Sequence, residues 1–371
     1  MLRHSTPLRL TLTTAGLVLL GACSGDSPTN PRGFSKPDLS CTIPESEIFA
    51  GQIRDGIPAL SELDFGFFGS EGTETWREQD RVIGMIVGDQ PIAIPLNIFW
   101  WHEIVNLDFE GESIAITHCP LTGSSLAFDR EPLGGVEFGV SGLLYRNNLM
   151  MYDRSGDTES FWPQMSRGAR CGPQSGTELD MLALVETTYR GWVEMHPNTL
   201  VATTNGLSSR NYSDTGYPYG DYDQPDNPEL LFPVPQAVDH RFPPKERVLG
   251  VPSGTGGRAF AYSELAKMGD NVAVTVGEGE EQYVVLFQWA RQGAMAYRPV
   301  ADGQPLTLDS SSGFIIDLET ESNWNINGVA TSGPLVGSRL EPVHEAFVAF
   351  WFSWPLFYPD IEPWRFANEN D

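Results

Sequence analysis

Two stretches of this chain spell the same ordered series of residues, and that repeat limits the possible folds more than any other feature. Asp80-Arg-Val-Ile-Gly-Met returns as Glu246-Arg-Val-Leu-Gly-Val. Gly123, Ala127-Phe128 and Arg130 return as Gly293, Ala296-Tyr297 and Arg298. Tyr152-Asp153 and Trp162 return as Ile316-Asp317 and Trp324. Gly168, Gly172-Pro173, Gly176 and Leu179 return as Gly328, Gly333-Pro334, Gly337 and Leu340. Each series then reaches tryptophan, Trp192 in one case, Trp351 and Trp354 in the other. Matches kept in one order across small insertions point to a duplication that yields two similar lobes.

Each lobe reads as mainly β, an α+β arrangement with few short helices. Val82 to Val87, Ser113 to Thr117, Val272 to Val276 and Tyr283 to Phe287 are short apolar or β-branched runs bounded by Gly, Asp and Glu. Prolines and glycines recur at short intervals, as they do between strands. Helical signals are confined to Pro95 to Val105, to Thr188 to His196 with a threonine cap and a proline stop, and to Tyr262 to Met268. The expected organisation is a signal peptide over 1–22, a flexible tether over 23–40, lobe one over 41–204, an acidic Pro/Tyr-rich connector over 205–244 and lobe two over 245–371.

The N-terminus gives an address. Arg3 and Arg9 flank a short apolar stretch that ends in Leu20-Gly-Ala-Cys23. A charged region, an apolar run and small residues before a cut describe an export signal. The run is too short to span a bilayer as a stable helix. Leu-Gly-Ala-Cys resembles the lipobox of bacterial lipoproteins, which makes Cys23 the acylated first residue of the mature chain. Each buried lipid methylene contributes about 0.8 kcal/mol, so several acyl chains anchor firmly. Ser24, in a two-membrane cell, resembles the outer-membrane sorting pattern. The expected location is the cell envelope, with the protein anchored at the outer membrane and facing the periplasm or the cell surface.

The net charge of −26 argues against a nucleic-acid partner, which needs a basic stripe. Export permits disulfides. Three cysteines remain beside Cys23, so at most one internal pair forms. Cys41 and Cys171 lie in polar, loop-like surroundings and are expected to pair, leaving Cys119 free.

Several motifs carry a family resemblance. They are Arg54-Asp-Gly-Ile-Pro-Ala-Leu, Trp101-His-Glu-Ile-Val-Asn, His118-Cys-Pro-Leu-Thr-Gly, Ser141-Gly-Leu-Leu-Tyr, Met151-Tyr-Asp with Trp162, Trp192 through His196-Pro197, Glu246-Arg-Val-Leu-Gly and Trp324-Asn. With them the mature chain resembles the exported bacterial and archaeal proteins grouped as domain of unknown function 3179. The resemblance implies an exported protein and supplies no activity. Such proteins often carry Cys-Pro-Leu-Cys at the central motif. Thr122 stands here in place of the second cysteine, which removes a dithiol.

The candidate site rests on a contrast between the lobes. Where lobe one reads Thr117-His-Cys-Pro-Leu-Thr-Gly, the repeat aligns Phe287-Gln-Trp-Ala-Arg-Gln-Gly. The scaffold therefore does not require the histidine or the cysteine. On a strand, His118 and Cys119 point to opposite faces, which favours His102 as the partner of Cys119. That pair suits a thiolate made nucleophilic by imidazole. It also suits a soft metal such as copper, with His196, Met150 or Met151 completing the ligand set. Both residues are equally compatible with a packed core. The spacing is not that of a structural zinc site, and the second box of an iron–sulfur cluster is missing. A weaker candidate is calcium on Asp214, Asp221, Asp223, Asp226 and Glu229 of the connector, which lack EF-hand spacing.

The anchor has a direct consequence. Cys23→Ser should abolish acylation and move the protein from the membrane to the soluble fraction, as read by fractionation and mass spectrometry of the mature N-terminus.

Overall fold

The computed structural model describes residues 40–207, 210–214 and 216–367. The expected signal peptide, the lipidation site Cys23 and the tether up to residue 39 lie outside the described residues. Among those described, the chain is mainly β, with seven sheets and four short α-helices.

Apolar runs punctuated by glycine set up the first strands. β1 (Ile48–Ala50) and β2 (Phe65–Phe67) precede β3 (Arg81–Val87), which folds back on β4 (Gln90–Pro95). The hairpin turn places Gly88 at φ 57°, a left-handed value that glycine adopts without strain. Helix α1 (Leu96–His102) follows Pro95 directly. Next come β5 (Ile104–Phe109), β6 (Glu112–Cys119), β7 (Ser124–Asp129), β8 (Phe138–Tyr145), β9 (Asn148–Asp153) and β10 (Phe161–Pro163). β11 (Met181–Leu182) and β12 (Val185–Thr188) lead into α2 (Tyr189–Met195) and β13 (Leu200–Ala202). The Thr188 hydroxyl accepts from Gly191 N at 3.1 Å, which makes it the N-cap of α2.

The second series opens with β14 (Arg247–Ser253) and β15 (Gly256–Ala261), joined at Gly254, again at φ 57°. It continues through α3 (Tyr262–Leu265), β16 (Asn271–Val276), β17 (Tyr283–Gln288) and β18 (Gly293–Arg298). Short strands β19 (Val300–Ala301), β20 (Gln304–Pro305), β21 (Leu308–Asp309), β22 (Ile316–Asp317), β23 (Asn323–Trp324) and β24 (Ala330–Ser332) come next. β25 (Glu341–Pro342), β26 (Phe347–Phe350), α4 (Trp354–Phe357) and β27 (Asp360–Pro363) complete it. Helix α4, which carries Pro355, is not among the helices expected from the sequence.

The two series pair alike. Order β12-β3-β4-β13 matches β26-β14-β15-β27, with the last strand parallel to its neighbour in both. Order β11-β7-β6-β5 matches β25-β18-β17-β16. Trp162 Nε1 donates to Asp153 Oδ2 at 2.8 Å, and Trp324 Nε1 donates to Asp317 Oδ2 at 3.0 Å. The α-carbons of Gly84 and Gly250 lie against the rings of Trp192 and Trp354, so a β-carbon on either would meet indole carbon at 2.2 Å.

The pairing register moves two of the sequence matches by one residue. Cys119 pairs with Ser124 across a four-residue turn, as Gln288 pairs with Gly293. Gly123 therefore corresponds to Gln292, both left-handed, and not to Gly293. In the same way Leu179 N donates to Arg167 O at 2.7 Å and Leu340 N to Gly328 O at 2.8 Å. Arg167, not Gly168, is the counterpart of Gly328.

The halves also exchange edges. β12 packs on β18, and β26 packs on β7. Phe350 N donates to Thr122 O at 2.8 Å, and the Thr187 hydroxyl donates to Arg291 O at 2.6 Å. The described residues consequently form one compact unit, with an apolar core drawn from both series.

The matched glycine–tryptophan contacts make a quantitative expectation. Gly84→Ala and Gly250→Ala should each destabilise the protein by about 1–3 kcal/mol through overpacking, in similar amount. Urea denaturation of the two variants measures it.

Candidate functional site

The residues expected to form one site are held apart by their own hydrogen bonds. His102 closes α1 in a buried position. Its Nδ1 lies 2.8 Å from Pro58 O, which can only accept, so the proton sits on Nδ1. Nε2 then accepts from the Tyr212 hydroxyl at 2.7 Å, and the two rings stack. Burial keeps the imidazole neutral by lowering its pKa. Both ring nitrogens are engaged, so His102 has no lone pair for a metal or a thiol.

Cys119 is the free cysteine and is 1% exposed. Leu149 N donates to its sulfur at 3.3 Å, and the thiol lies 3.8 Å from Asn147 O. Burial, with the charge of Glu103 added, pushes the thiol up to about 11. At neutral pH it is a protonated, shielded thiol and not a nucleophile. The expected Cys119–His102 pair is not formed, because desolvation opposes the thiolate and the imidazole is committed to Pro58 and Tyr212.

The other expected ligands are dispersed as well. His196 caps α2, packs tilted against the Trp192 ring and accepts from Asn327 Nδ2 at 2.9 Å, which joins the two halves. Burial lowers it to about 4. Met150 and Met151 are buried in β9, Met151 within the apolar cluster that also contains Cys119. In the connector, Asp214 accepts from Gly216 N and Asp223 from Gln224. Asp221, Asp226 and Glu229 do not converge with them. Among the described residues no group of three His, Cys, Asp or Glu could hold a metal. Among the described residues neither the copper nor the calcium reading brings three such donors together. Cys41 and Cys171 are joined by a disulfide, with Cα atoms 4.0 Å apart.

What does converge beside Cys119 is a cavity of about 280 Å³. Leu121, Val140, Leu143, Leu144 and Leu149 line it from the first half, and Tyr219, Leu231 and Phe232 from the connector. Glu103 supplies the one carboxyl group among the lining residues. It is the residue after α1, at φ 56°, ψ −31°, a conformation that costs a non-glycine of order 1–3 kcal/mol. Its backbone is fully used: N donates to Phe99 O and O accepts from His118 N, both at 2.8 Å. The residue is 8% exposed, its carboxyl oxygens keep some contact with solvent, and no side-chain hydrogen bond or ion pair is seen for it among the described residues. Burial alone raises it to about 8. A strained, largely buried acid without a protein partner, facing a mainly apolar cavity, is a functional-site candidate among the described residues.

The connector roofs this cavity. Besides Tyr212 on His102, the Tyr217 hydroxyl donates to Pro120 O and the Tyr222 hydroxyl to Leu121 O at 2.9 Å. Asn147 brackets Phe232, donating to its O at 2.7 Å and accepting from its N at 3.0 Å. Buried Lys245 lies over the Tyr222 ring and donates to Glu229 O at 2.6 Å. The motifs around residues 101 and 118 are thus docking points for a strap, and the sequence signal that carried the chemistry was the glutamate of Trp101-His-Glu.

A family described as protein of unknown function, DUF3179, matches residues 54–361. No curated protein and no solved structure matches the chain.

The Glu103 proton has a measurable linkage. The folded pKa lies above the ordinary 4.5, so the native state keeps a proton that the unfolded state loses. Wild-type stability should therefore fall as pH rises from about 4.5 to about 8. Across that window each pH unit removes about 1.4 kcal/mol at most. Glu103→Gln cannot ionise and should be more stable than wild type by about 1–4 kcal/mol at pH 9, with a much smaller gain at pH 5. Urea titrations at the two pH values check it.

Proposed function

The chain belongs to the DUF3179 family, and we propose that it is a ligand-binding protein of the cell envelope. Its site is the Glu103 cavity under the connector. The reading takes the protein to be exported and lipid-anchored through Cys23, with two structurally related halves copied from one ancestral unit. The supporting observation is Glu103 itself, a buried carboxyl group without a partner in an apolar enclosure.

The ligand that fits is small and mainly apolar, with one basic amine. Ionising Glu103 at neutral pH, about one pH unit below its pKa, costs about 1.4 kcal/mol. A charge-assisted hydrogen bond returns about 1.5–3 kcal/mol, so an ammonium converts the neutral acid into an ion pair at little net cost. A neutral alcohol gains only an ordinary hydrogen bond. The remaining surface of the ligand contributes about 25 cal/mol per Å² of apolar area covered. An acid near pH 8 also suits general acid–base catalysis. The absence of an activated nucleophile beside it, with Cys119 at about 11, favours binding over a thiolate mechanism.

Benzylamine, cyclohexylamine and benzyl alcohol discriminate. At pH 7.5 the amines should raise the melting temperature of wild type and release a proton, seen as a calorimetric enthalpy that changes with buffer ionisation. Glu103→Gln should lose both effects, and Leu121→Trp, which fills the cavity, should lose binding of all three. Equal responses of amine and alcohol, or of wild type and Glu103→Gln, would defeat the assignment.

A further inference from the structure

A second enclosure is lined by residues that flank the disulfide, Ile43 and Arg170 among them. It is a cleft of about 680 Å³ that contains Arg146, Arg167 and Arg170 beside Tyr145, Phe357 and Tyr358. Three arginines in one cleft are unexpected on a chain with a net charge of −26. Two of them are neutralised. Arg146 Nε donates to Glu47 at 2.6 Å, and its guanidinium also reaches Leu356 O. Arg170 pairs with Glu178 at 2.9 Å and donates to Ser166 O at 2.8 Å.

Arg167 differs. No carboxylate among the described residues lies within ion-pair distance of it. Its side-chain contacts include the Met181 sulfur at 3.9 Å, the Tyr358 ring at 5.8 Å and the Tyr358 hydroxyl. Its Nε is buried with no partner. Asp180 and Glu345 also line the cleft, but both are exposed. The backbone sharpens the contrast. Arg167 sits at φ 56°, and its counterpart Gly328 sits at φ 65° with the same pair of backbone bonds. Glycine takes this conformation freely and arginine does not. The first half thus holds a long cationic side chain at a position where the fold favours glycine, and leaves it without a counter-charge.

We infer that this cleft is an anion-binding site, separate from the Glu103 cavity, whose ligand carries a carboxylate or phosphate group on an apolar or aromatic body. Arg167 receives the oxyanion through its planar fork, which suits two parallel N–H···O bonds. The aromatic rings of Tyr145, Phe357 and Tyr358 cover the body. A free small anion and an anionic lipid headgroup share this chemistry.

Calorimetric titration of the full chain in neutral detergent tests it, with benzoate, inorganic phosphate and phosphatidylglycerol micelles as probes at constant ionic strength. At least one probe should bind wild type. Arg167→Gly should weaken that binding at least tenfold while leaving the melting temperature equal or higher, because the counterpart turn already uses glycine. Arg167→Lys should retain the fold and bind less tightly than wild type, since a point charge replaces the fork. Binding of benzoate or phosphate assigns a soluble ligand, and binding of the lipid alone assigns a headgroup. The proposal is overturned if no probe binds wild type, if Arg167→Gly binds as well as wild type, or if Arg167→Gly lowers the melting temperature in the way a structural arginine would.

Discussion

One carboxylate fastens the two halves together. Glu186 lies on β12 with no exposed surface. Its Oε1 accepts from Arg81 Nε at 2.7 Å and from Arg247 at 2.6 Å. These arginines open β3 and β14, so they occupy equivalent places in the two series. At the place equivalent to Glu186, β26 carries Val348, which pairs with Leu249 as Glu186 pairs with Ile83. One acid therefore serves two cations where the halves meet. Burial pushes its carboxyl up, and the two guanidiniums outweigh burial and hold it at about 2. Such a centre is not cheap, because every charge in it is largely removed from water. Its value lies in the penalty for error: separating one partner from the others strands a buried charge, which costs about 3–5 kcal/mol. The mutual position of the halves is specified accordingly.

The same carboxylate reaches the site. Its Oε2 accepts from the Ser125 hydroxyl at 2.9 Å, so that oxygen must accept in turn from His118 Nδ1, also at 2.9 Å. His118 is neutral, lowered to about 4 by burial, and its Nε2 is buried without a partner. The backbone N of His118 donates to Glu103 O. Hydrogen bonds to the side chain and to the backbone of His118 thus link the junction of the halves to the peptide that holds Glu103 in its strained conformation. Strain survives only where the surroundings over-determine it. Here the surroundings are β6, α1 and the connector tyrosines.

Fold class was legible because β-branched runs and glycine punctuation are local signals. The like pairing of the two series was legible where side chains are interchangeable only with themselves, as with the tryptophans that lie on Gly84 and Gly250. It was misread by one residue where it relied on glycine identity. Gly123 must be glycine because the Phe350 ring would meet a β-carbon at 2.7 Å, yet its counterpart Gln292 carries a side chain at a similar φ. Gly328 and Arg167 reverse the same substitution. A left-handed position is repeated in geometry and not in letter, and a sequence shows only the letter. The cysteine and histidines drew attention for their chemistry, but chemistry depends on solvent. Burial silenced Cys119 and occupied His102, while the same burial activated Glu103, which in the sequence is one of 49 acidic residues.

The asymmetry between the halves follows from what each can leave unsatisfied. A buried polar group without a partner costs about 1–3 kcal/mol, more when charged, and a left-handed non-glycine adds of order 1–3 kcal/mol. Glu103 and Arg167 each combine the two penalties, and both belong to the first half. They face different enclosures, a mainly apolar cavity for the acid and an aromatic cleft for the base. Neither penalty is needed to build the sheets, since β14 to β18 and β25 to β27 make the same pairings with Gly328 at the arginine position. The second half also holds left-handed non-glycines, at Gln292, Asp302 and Glu321, but none of them is among its buried polar groups without a partner, Tyr262 and Trp354. The two proposed ligands act oppositely on Glu103 and Arg167: an amine would draw Glu103 from neutral acid into an ion pair, and an oxyanion would give Arg167 its missing counter-charge.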